Sequence, residues 1–331
     1  MTKISTRISR RAALAGVTAA ATAPLFARAA AAQAYPERPI RVIVPYAAAG
    51  ASDIVARLVV PFIGQELGQS MFVDNRGGGA SMIGTQVIAT SAPDGYTIGV
   101  VDTAFTINPG LFSGKLPYDT KRDFIPVSLL ARTKLVLVVP VSAPIGSVKE
   151  LIALAKAKPG TMTMATAGLG TAVHLGCEQF RQEAAIDVIS VPYRGGGPSL
   201  IDLLAGKVDF TFSTIPAIIE HVRGGKLRAL GVTTERSTQL PDVPSMADAG
   251  LPKVDAAPDF GIVTPAAVPA AVIDKLAGAA QRAVKSEALR ARMNELGYDP
   301  IGSTPAEYAA YIDTAIEKWR RLITAGNIKP E

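Results

Sequence analysis

Short β-branched runs alternate with stretches of helical spacing along most of this chain. Ile40–Val44 is a compact apolar run that predicts a buried strand. The next segment, 54–67, repeats apolar residues every three or four positions and is followed by Gly68, a residue that commonly ends helices. The chain therefore opens with a predicted strand followed by a predicted helix.

The same alternation continues as far as residue 232. Further strands are predicted at 72–73, 97–101, 135–139, 162–166, 188–191, 208–212 and 227–232, and helices at 82–91, 148–156, 172–183, 199–205 and 215–222. This order favours parallel sheets with helices on both faces, so the expected fold class is α/β. The last third is helical, with amphipathic segments at 269–286 and 287–296. A capping box at Thr304–Glu307 predicts a final helix, whose Tyr308, Tyr311 and Trp319 are expected in the core.

The first 34 residues have the order of a secretory signal peptide. Basic residues precede an apolar stretch at 12–26, and small residues with A-x-A spacing run from Ala29 to Ala34. The apolar stretch is shorter than the ~20 residues that a membrane span needs. Ser9–Leu14 resembles a twin-arginine signal, although Ala13 stands where Phe is usual, so the general secretion route stays open. We expect export to the periplasm.

Removal of this signal changes the charge balance. The whole chain has 34 Lys and Arg against 28 Asp and Glu, and five of the basic residues lie before Tyr35. The remainder carries 29 against 28, a net charge of +1. Binding of nucleic acid through a basic surface therefore loses its main support. The only cysteine, Cys177, cannot form an intrachain disulfide and is predicted to be a small buried core residue rather than a reactive thiol.

Motifs of common enzyme classes are absent from the sequence. The two histidines, His174 and His221, are too few for a typical multi-histidine metal site, and no G-x-S-x-G elbow occurs. Gly168–Leu169–Gly170 begins like a dinucleotide fingerprint, but Val173 stands where the third glycine belongs. We expect no metal and no cofactor. These absences weigh against an enzyme but leave that alternative open.

Two junctions between a predicted strand and a predicted helix share one design. Residues 46–53 and 165–171 are made of small side chains, and each loop leads into a helix start. Small side chains let a ligand approach backbone N–H groups, and a helix start favours an anion. Ser52 or Asp53 in the first loop and Thr171 in the second can cap these helices or add a hydrogen-bond donor. The alternative interpretation is that both are ordinary tight loops with good caps.

The run Tyr35–Pro45 resembles the opening of the Bug family, also called TctC. These proteins are the periplasmic substrate-binding receptors of tripartite tricarboxylate transporters. The resemblance spans the chain after the signal, in order. It continues at Asp53–Arg57, Asn75–Arg76, Pro93–Tyr96, Asn108–Pro109, His174–Leu175, Val191–Gly195, Leu203–Asp209, Leu240–Ser245, Ala249–Leu251 and Lys318–Trp319.

The resemblance implies a two-lobed periplasmic-binding-protein fold of the type II, or Venus-flytrap, kind, each lobe a mainly parallel sheet flanked by helices. The expected crossings between lobes are Arg132–Lys134 and Leu251–Asp255. Residues 35–132 and 254–331 would then form lobe 1, and residues 133–253 would form lobe 2.

The resemblance also implies which residues bind or border the ligand. Two loops are expected to hold its carboxylates: Tyr46, Ala48, Ala49, Gly50, Ala51, Ser52 and Asp53, and then Thr166, Ala167, Gly168, Gly170, Thr171 and His174. The expected border consists of Gly78, Gly79, Ala80, Thr103, Arg194, Gly195, Phe212, Ser213 and Thr214. The sequence departs from the family where Ala48–Ala51 replaces a usual Pro-Gly-Gly stretch, so the identity of the acid stays open.

The leading hypothesis is a receptor that captures a small di- or tricarboxylate, or a related acid, and delivers it to a membrane permease. A receptor that presents its ligand to a sensor kinase is an alternative that the residues do not separate from it. An enzyme acting on a small acid is a third, with Asp53, Glu178 and His174 as candidate bases. A monomer is the family default.

Overall fold

The computed structural model describes residues 35–48, 50–193 and 195–330. The predicted export signal, Ala49 and Arg194 lie outside these ranges. Residues 35–37 are a short irregular segment that belongs with the N-terminal unit, and every helix and strand below lies in a second unit that begins at Arg38.

The elements follow one another in an order close to the sequence pattern. In chain order they are β1 (Ile40–Val44), α1 (Ala51–Leu67), β2 (Met71–Asn75), α2 (Met82–Ala89), β3 (Thr97–Asp102), α3 (Ala104–Leu111), β4 (Phe124–Thr133), β5 (Leu135–Pro140), α4 (Val148–Ala157), β6 (Thr163–Thr166), α5 (Ala172–Glu183), β7 (Ile189–Pro192), α6 (Gly196–Leu204), β8 (Phe210–Thr214), α7 (Ile215–Arg223), β9 (Leu227–Val232), β10 (Asp259–Pro265), α8 (Ala270–Lys285), α9 (Glu287–Glu295), β11 (Tyr298–Pro300) and α10 (Pro305–Ala325).

The strands form two separate sheets. The first has the order β11-β4-β10-β3-β1-β2 and the second has the order β7-β6-β8-β5-β9. In the first sheet β1 is parallel to β2 and β3, whereas β10 is antiparallel to β3 and β4, and β11 is antiparallel to β4. In the second, β6 is parallel to β7 and β8, and β5 is antiparallel to β8 and β9.

The sheets are therefore mixed rather than mainly parallel. The reason lies in how the chain passes between them. It leaves the first sheet through β4 and enters the second through β5, and neither strand is joined to a sheet neighbour by a helical crossover. It returns as β10, which inserts antiparallel between β3 and β4. Strand–helix alternation predicts the parallel part of each sheet, but not these connecting strands.

Four elements were not predicted from the sequence: α3, β4, β10 and β11. Helix α3 contains Pro109 and Gly110, which are poor residues for a helix interior, and β4 contains Pro126, which argues against a central strand. Both elements are stabilised by burial: Phe105 and Ile107 of α3 are buried, and most of β4 is inaccessible to solvent. Tertiary packing overrides local preference here.

Two local signals, the stop at Gly68 and the start at Thr304, behave as predicted. Gly68 ends α1 in the left-handed conformation, with φ of 68°, and its N–H donates to the carbonyl of Gln65. Thr304 and Glu307 form a reciprocal capping box at the start of α10. These features depend on a few neighbouring residues, so the sequence alone defines them.

The last helix packs against both sheets' cores. Tyr308, Ile312 and Ile316 belong to a core cluster of the first sheet, together with Val101 and Val263. One turn further along α10, the buried side chains enter the core of the second sheet.

In that second core, Trp319 and Ile323 lie in one cluster with Leu137 and Phe180. Tyr308 and Trp319 are buried, which confirms the prediction for those two aromatics, and Tyr311 is partly buried against both clusters. Cys177 is also fully buried in this second cluster, as predicted, and burial raises the pKa of its thiol to about 12.

A single residue, Lys134, separates β4 from β5. Its buried ammonium nitrogen lies 2.7 Å from Oδ2 of Asp299 in β11 and 2.9 Å from Oε1 of Glu235, which follows β9. Lys134 thus pairs with one carboxylate beside each sheet. The crossing predicted at Arg132–Lys134 includes this link, and the crossing predicted at Leu251–Asp255 lies between β9 and β10. The exact lobe boundaries stay a prediction.

Candidate functional site

Helices begin directly at the carboxyl ends of several strands. In the first sheet β1 leads to α1 and β3 leads to α3, and in the second sheet β6, β7 and β8 lead to α5, α6 and α7. Each helix start presents N–H groups without partners inside the helix, and its dipole favours negative charge. Ligands of open α/β sheets bind at this edge. The topology therefore places several anion-favouring helix starts at the strand ends of both sheets.

The first loop joins β1 to α1, and its helix begins without a side-chain cap. The N-cap is Gly50 in an extended conformation, φ −78° and ψ 168°, and no side chain bonds the first turn from that position. Neither Ser52 nor Asp53 is the N-cap, because they are the second and third residues of the helix. The alternative that one of them adds a donor for the ligand stays a prediction. An uncapped start leaves the first-turn amides to other acceptors.

Asp53 instead fastens the start of α1 to β2. Nε of Arg57 lies 2.9 Å from both carboxylate oxygens of Asp53, and Nδ2 of Asn75 donates to Oδ1 at 3.0 Å. The same Asn75 nitrogen donates to the carbonyl of Tyr46 at 3.1 Å. One amide therefore holds the beginning of the first loop and its helix together.

A second carboxylate, Asp102 at the end of β3, holds both ends of the same loop. The hydroxyl of Tyr46 donates to Oδ1 at 2.9 Å, and the hydroxyl of Ser52 donates to Oδ2 at 3.2 Å. The backbone N–H of Ala104 donates to Oδ1 at 3.0 Å. Sequence reasoning missed this residue, although an aspartate at the carboxyl end of a predicted strand was a signal that could have found it.

Burial dominates the electrostatics of this aspartate. Loss of hydration raises the pKa of Asp102 to about 6, and the nearby charge of Asp259 adds to the rise. The hydrogen bonds from Tyr46, Ala104 and Ser52 act in the opposite direction. Burial and the charge of Asp102 also raise the pKa of Tyr46 well above its usual value. The carboxyl group of Asp102, which holds the first loop, therefore has a pKa of about 6.

A glycine-rich turn after β2 lies against the first loop. An added Cβ at Gly77 would lie 2.9 Å from the backbone nitrogen of Ala47, so the two backbones are in close contact. Gly78, Gly79, Ala80 and Ser81 all have positive φ. We call residues 77–81 the Ala80 turn. For Ala80 and Ser81 this left-handed conformation costs on the order of 1 kcal/mol each, so other contacts must hold it.

The second loop joins β6 to α5, and it is capped as predicted. Thr171 is the N-cap, and its hydroxyl oxygen accepts a hydrogen bond from the N–H of His174 at 3.2 Å. The same hydroxyl donates to the carbonyl of Gly168 at 2.8 Å. Gly168 and Gly170 both have positive φ, which glycine adopts without strain.

The two loops converge through the Ala80 turn. An added Cβ at Gly170 would lie 2.8 Å from Oδ1 of Asn108, 3.6 Å from Cδ2 of Leu111 and 3.9 Å from Cβ of Ala80. Gly170 of the second loop therefore lies close to Asn108 and Ala80, and the backbone of Gly77 lies close to the first loop at Ala47. We call this line of contact the interloop seam. The structure brings the loops that precede the two predicted helix starts to a common seam.

The predicted border residues occupy different roles. The hydroxyl of Thr103 accepts a hydrogen bond from the N–H of Asp259 at 3.0 Å, so this side chain connects β3 to β10. Phe212 is buried, with its ring 5.7 Å edge-on from that of Phe180, and belongs to the core of the second sheet. Gly195 and Thr214 are the N-caps of α6 and α7. Ala49 and Arg194 lie outside the described residues, and the whole set stays a prediction.

Two candidate bases of the enzyme hypothesis are engaged in ion pairs. Asp53 is bound by Arg57, and Oε2 of Glu178 lies 2.7 Å from Nη2 of Arg181 on the same helix. His174 is largely buried in the first turn of α5. Within the described ranges no group of three or more His, Cys, Asp or Glu side chains could hold a metal ion. No described helix is both long and apolar enough to cross a membrane.

Solved structures have this fold, among them that of periplasmic binding protein BugD, which superimposes with a TM-score of 0.83 at 28% identity, covering 90% of this chain and 100% of the other. R. palustris Rpa4515 with adipate superimposes with a TM-score of 0.85 at 29% identity, covering 90% of this chain and 100% of the other. MatC (Rpa3494) from Rhodopseudomonas palustris with bound malate gives 0.80 at 28% identity, covering 87% and 100%. The two-lobed α/β fold of a solute-binding protein is therefore confirmed.

The sequence comparison identifies the family within that class. Residues 55–328 match the tripartite tricarboxylate transporter family receptor, TctC, and the chain belongs to this family. Protein BugT of Bordetella pertussis is 35% identical over 294 residues, which are 88% of this chain and 90% of that protein. The resemblance stated from the sequence is confirmed, and the family is one of binding receptors.

Proposed function

We propose that this protein is a periplasmic receptor that captures a small organic carboxylate, a di- or tricarboxylate or a related acid, between its two lobes and passes it to a tripartite tricarboxylate-type transporter. The observation that carries the proposal is the convergence on the interloop seam of two loops, rich in small residues, that follow strands of different sheets and lead into helix starts. The structural relatives with adipate and malate support a carboxylate ligand.

Backbone amides are sufficient for useful affinity. Four charge-assisted hydrogen bonds at roughly 2 kcal/mol each contribute about 8 kcal/mol, which is the scale of micromolar binding before ordering costs are subtracted. A receptor of this kind needs no buried arginine clamp. In this proposal the predicted loop residues supply the amides.

We extend the proposal to the protein's cellular location, its oligomeric state and its lack of catalytic activity. The signal-like first 34 residues support export, and the net charge of +1 after them supports a small-molecule ligand rather than nucleic acid. The chain acts as a monomer that binds its acid without turnover. Engagement of Asp53 and Glu178 in ion pairs supports this, because a general base needs to reach the ligand.

A thermal-shift screen of the purified mature chain tests the proposal. A ligand that binds only the folded state raises the melting temperature with its concentration. We expect concentration-dependent stabilisation by at least one mono-, di- or tricarboxylate in a panel that includes adipate and malate, and none by amines of similar size. Stabilisation by amines with no effect of any acid would refute the proposal. Chromatography of the incubated acid checks that it is recovered unchanged.

A loop variant tests the location of the site. Gly168→Pro fixes φ near −65°, whereas Gly168 has a φ of 98°, so the second loop cannot keep its shape. Gly250→Pro introduces the same conflict at φ of 86°, outside both loops, and is the matched control. We expect loss of acid binding in Gly168→Pro and retained binding in Gly250→Pro, with circular dichroism confirming that both fold. Equal affinity in the two variants would place the site elsewhere.

A further inference from the structure

Asn108 is a fully buried amide in the middle of α3. Burying an amide costs free energy unless it forms hydrogen bonds, and Asn is a weak helix former. Its Nδ2 donates to the carbonyl oxygen of Ala80 at 2.8 Å and lies 3.4 Å from the hydroxyl of Ser81. These bonds reach the two non-glycine residues of the Ala80 turn that have positive φ. Asn108 therefore holds the strained part of that turn.

The bond to Ala80 also fixes which way the amide points. A backbone carbonyl can only accept a hydrogen bond, so Nδ2 must face Ala80 and Oδ1 must face the opposite side. Oδ1 is buried and has no hydrogen bond to any described residue. Of the described atoms beyond the adjoining residues of the chain, it would lie nearest to a Cβ added at Gly170, at 2.8 Å.

These contacts connect loops that belong to different sheets. Asn108 and Ala80 follow β3 and β2 of the first sheet, and Gly170 follows β6 of the second. The Ala80 turn contacts the first loop at Ala47 as well. One side chain thus lies between the Ala80 turn, which adjoins the first loop, and the second loop.

We propose that Asn108 is a positioning residue through which the two ligand-binding loops meet: its amide holds the Ala80 turn of one lobe against Gly170 of the other in the ligand-bound arrangement. At Gly170 the second lobe presents backbone without a side chain to the amide of Asn108. Position 170 must then be glycine for two reasons. Its φ is positive, and a side chain there would occupy the space of Oδ1 of Asn108. This inference rests on the proposed function and adds the contact that couples the two lobes.

A matched pair of glycine variants separates contact from backbone strain. Gly170 and Gly206 have nearly equal φ, 72° and 70°, but no described atom lies within 4 Å of a Cβ added at Gly206. Affinities for adipate and malate are measured by titration calorimetry, and unfolding of the ligand-free proteins by urea. We expect Gly170→Ala to bind about tenfold more weakly than wild type and Gly206→Ala to stay within about twofold, with similar ligand-free stabilities.

A double variant shows whether the effect passes through Asn108. Asn108→Ala weakens binding by itself because the Ala80 turn loses its anchor, but it also removes the atom that a methyl group added at position 170 would strike. We expect the additional effect of Gly170→Ala to fall to about twofold or less in the Asn108→Ala background. Asn108→Asp keeps the shape of the side chain but cannot donate to Ala80 when ionised, so it should weaken binding like Asn108→Ala.

The outcomes distinguish the two proposals. If wild type binds neither acid, nor any acid of the wider panel, the proposed function fails and this inference fails with it. If wild type binds an acid while Gly170→Ala and Gly206→Ala bind it equally, only the coupling is refuted. A loss of stability in ligand-free Gly170→Ala well beyond that of Gly206→Ala would also overturn it, because the contact would then be a permanent part of the core.

Discussion

The buried state of Asp102 can be tested by how the free energy of unfolding depends on pH. The pKa of Asp102 is raised from 3.8 to about 6, chiefly by burial. The folded state therefore holds this proton more tightly than the unfolded state. The resulting contribution to stability is fully present below pH 4 and is lost as the pH rises through about 6.

The magnitude follows from the interval between the two values. At about 1.4 kcal/mol per pH unit, a change from 3.8 to about 6 corresponds to at most about 3 kcal/mol. Asp102→Asn removes this titration and keeps the three hydrogen bonds of the side chain. The amide oxygen can accept from Tyr46 and Ala104 as Oδ1 does, and the amide nitrogen can donate to the hydroxyl oxygen of Ser52.

The assay is urea unfolding of both proteins at half-unit steps from pH 4 to pH 8, followed by the fluorescence of Trp319. We expect the stability of Asp102→Asn relative to wild type to rise by up to about 3 kcal/mol between pH 4 and pH 7. Asp242→Asn, at an exposed position, controls for removal of one negative charge. A difference that stays constant with pH, or that favours wild type increasingly toward pH 7, would refute the reasoning.

Three further predictions concern single contacts. Gly261→Ala places a methyl group in the ring of Tyr308, so we expect a loss of about 1–3 kcal/mol in the free energy of unfolding, measured with urea; an unchanged midpoint would contradict this packing. Thr304→Ala removes the capping box of α10 and should cost about 1 kcal/mol in the same measurement, with Thr314→Ala, on an exposed face of α10, as the control. Cys177 should not react with a thiol reagent at pH 8 until the protein is unfolded, because it is fully buried with a pKa of about 12, and rapid labelling of the native chain would show that the second core opens.

The sequence by itself determined the features that depend on neighbouring residues. The stop at Gly68, the capping box at Thr304 and the cap at Thr171 each involve a few consecutive positions, so their residue types define them. The alternation of strands and helices likewise predicted the α/β class, and the long ordered resemblance identified the family. Both loops were found as small-residue helix starts because that pattern is also local.

Only the tertiary structure decided what lies between distant residues. The antiparallel insertion of β10, the helix that forms despite Pro109, and the bonds of Asp102 to both ends of the first loop depend on the path of the chain. The meeting of Asn108 with Gly170 joins residues that follow strands of different sheets. Local patterns carry no information on such contacts, because each is stabilised by burial and hydrogen bonds that exist only once both sheets have formed.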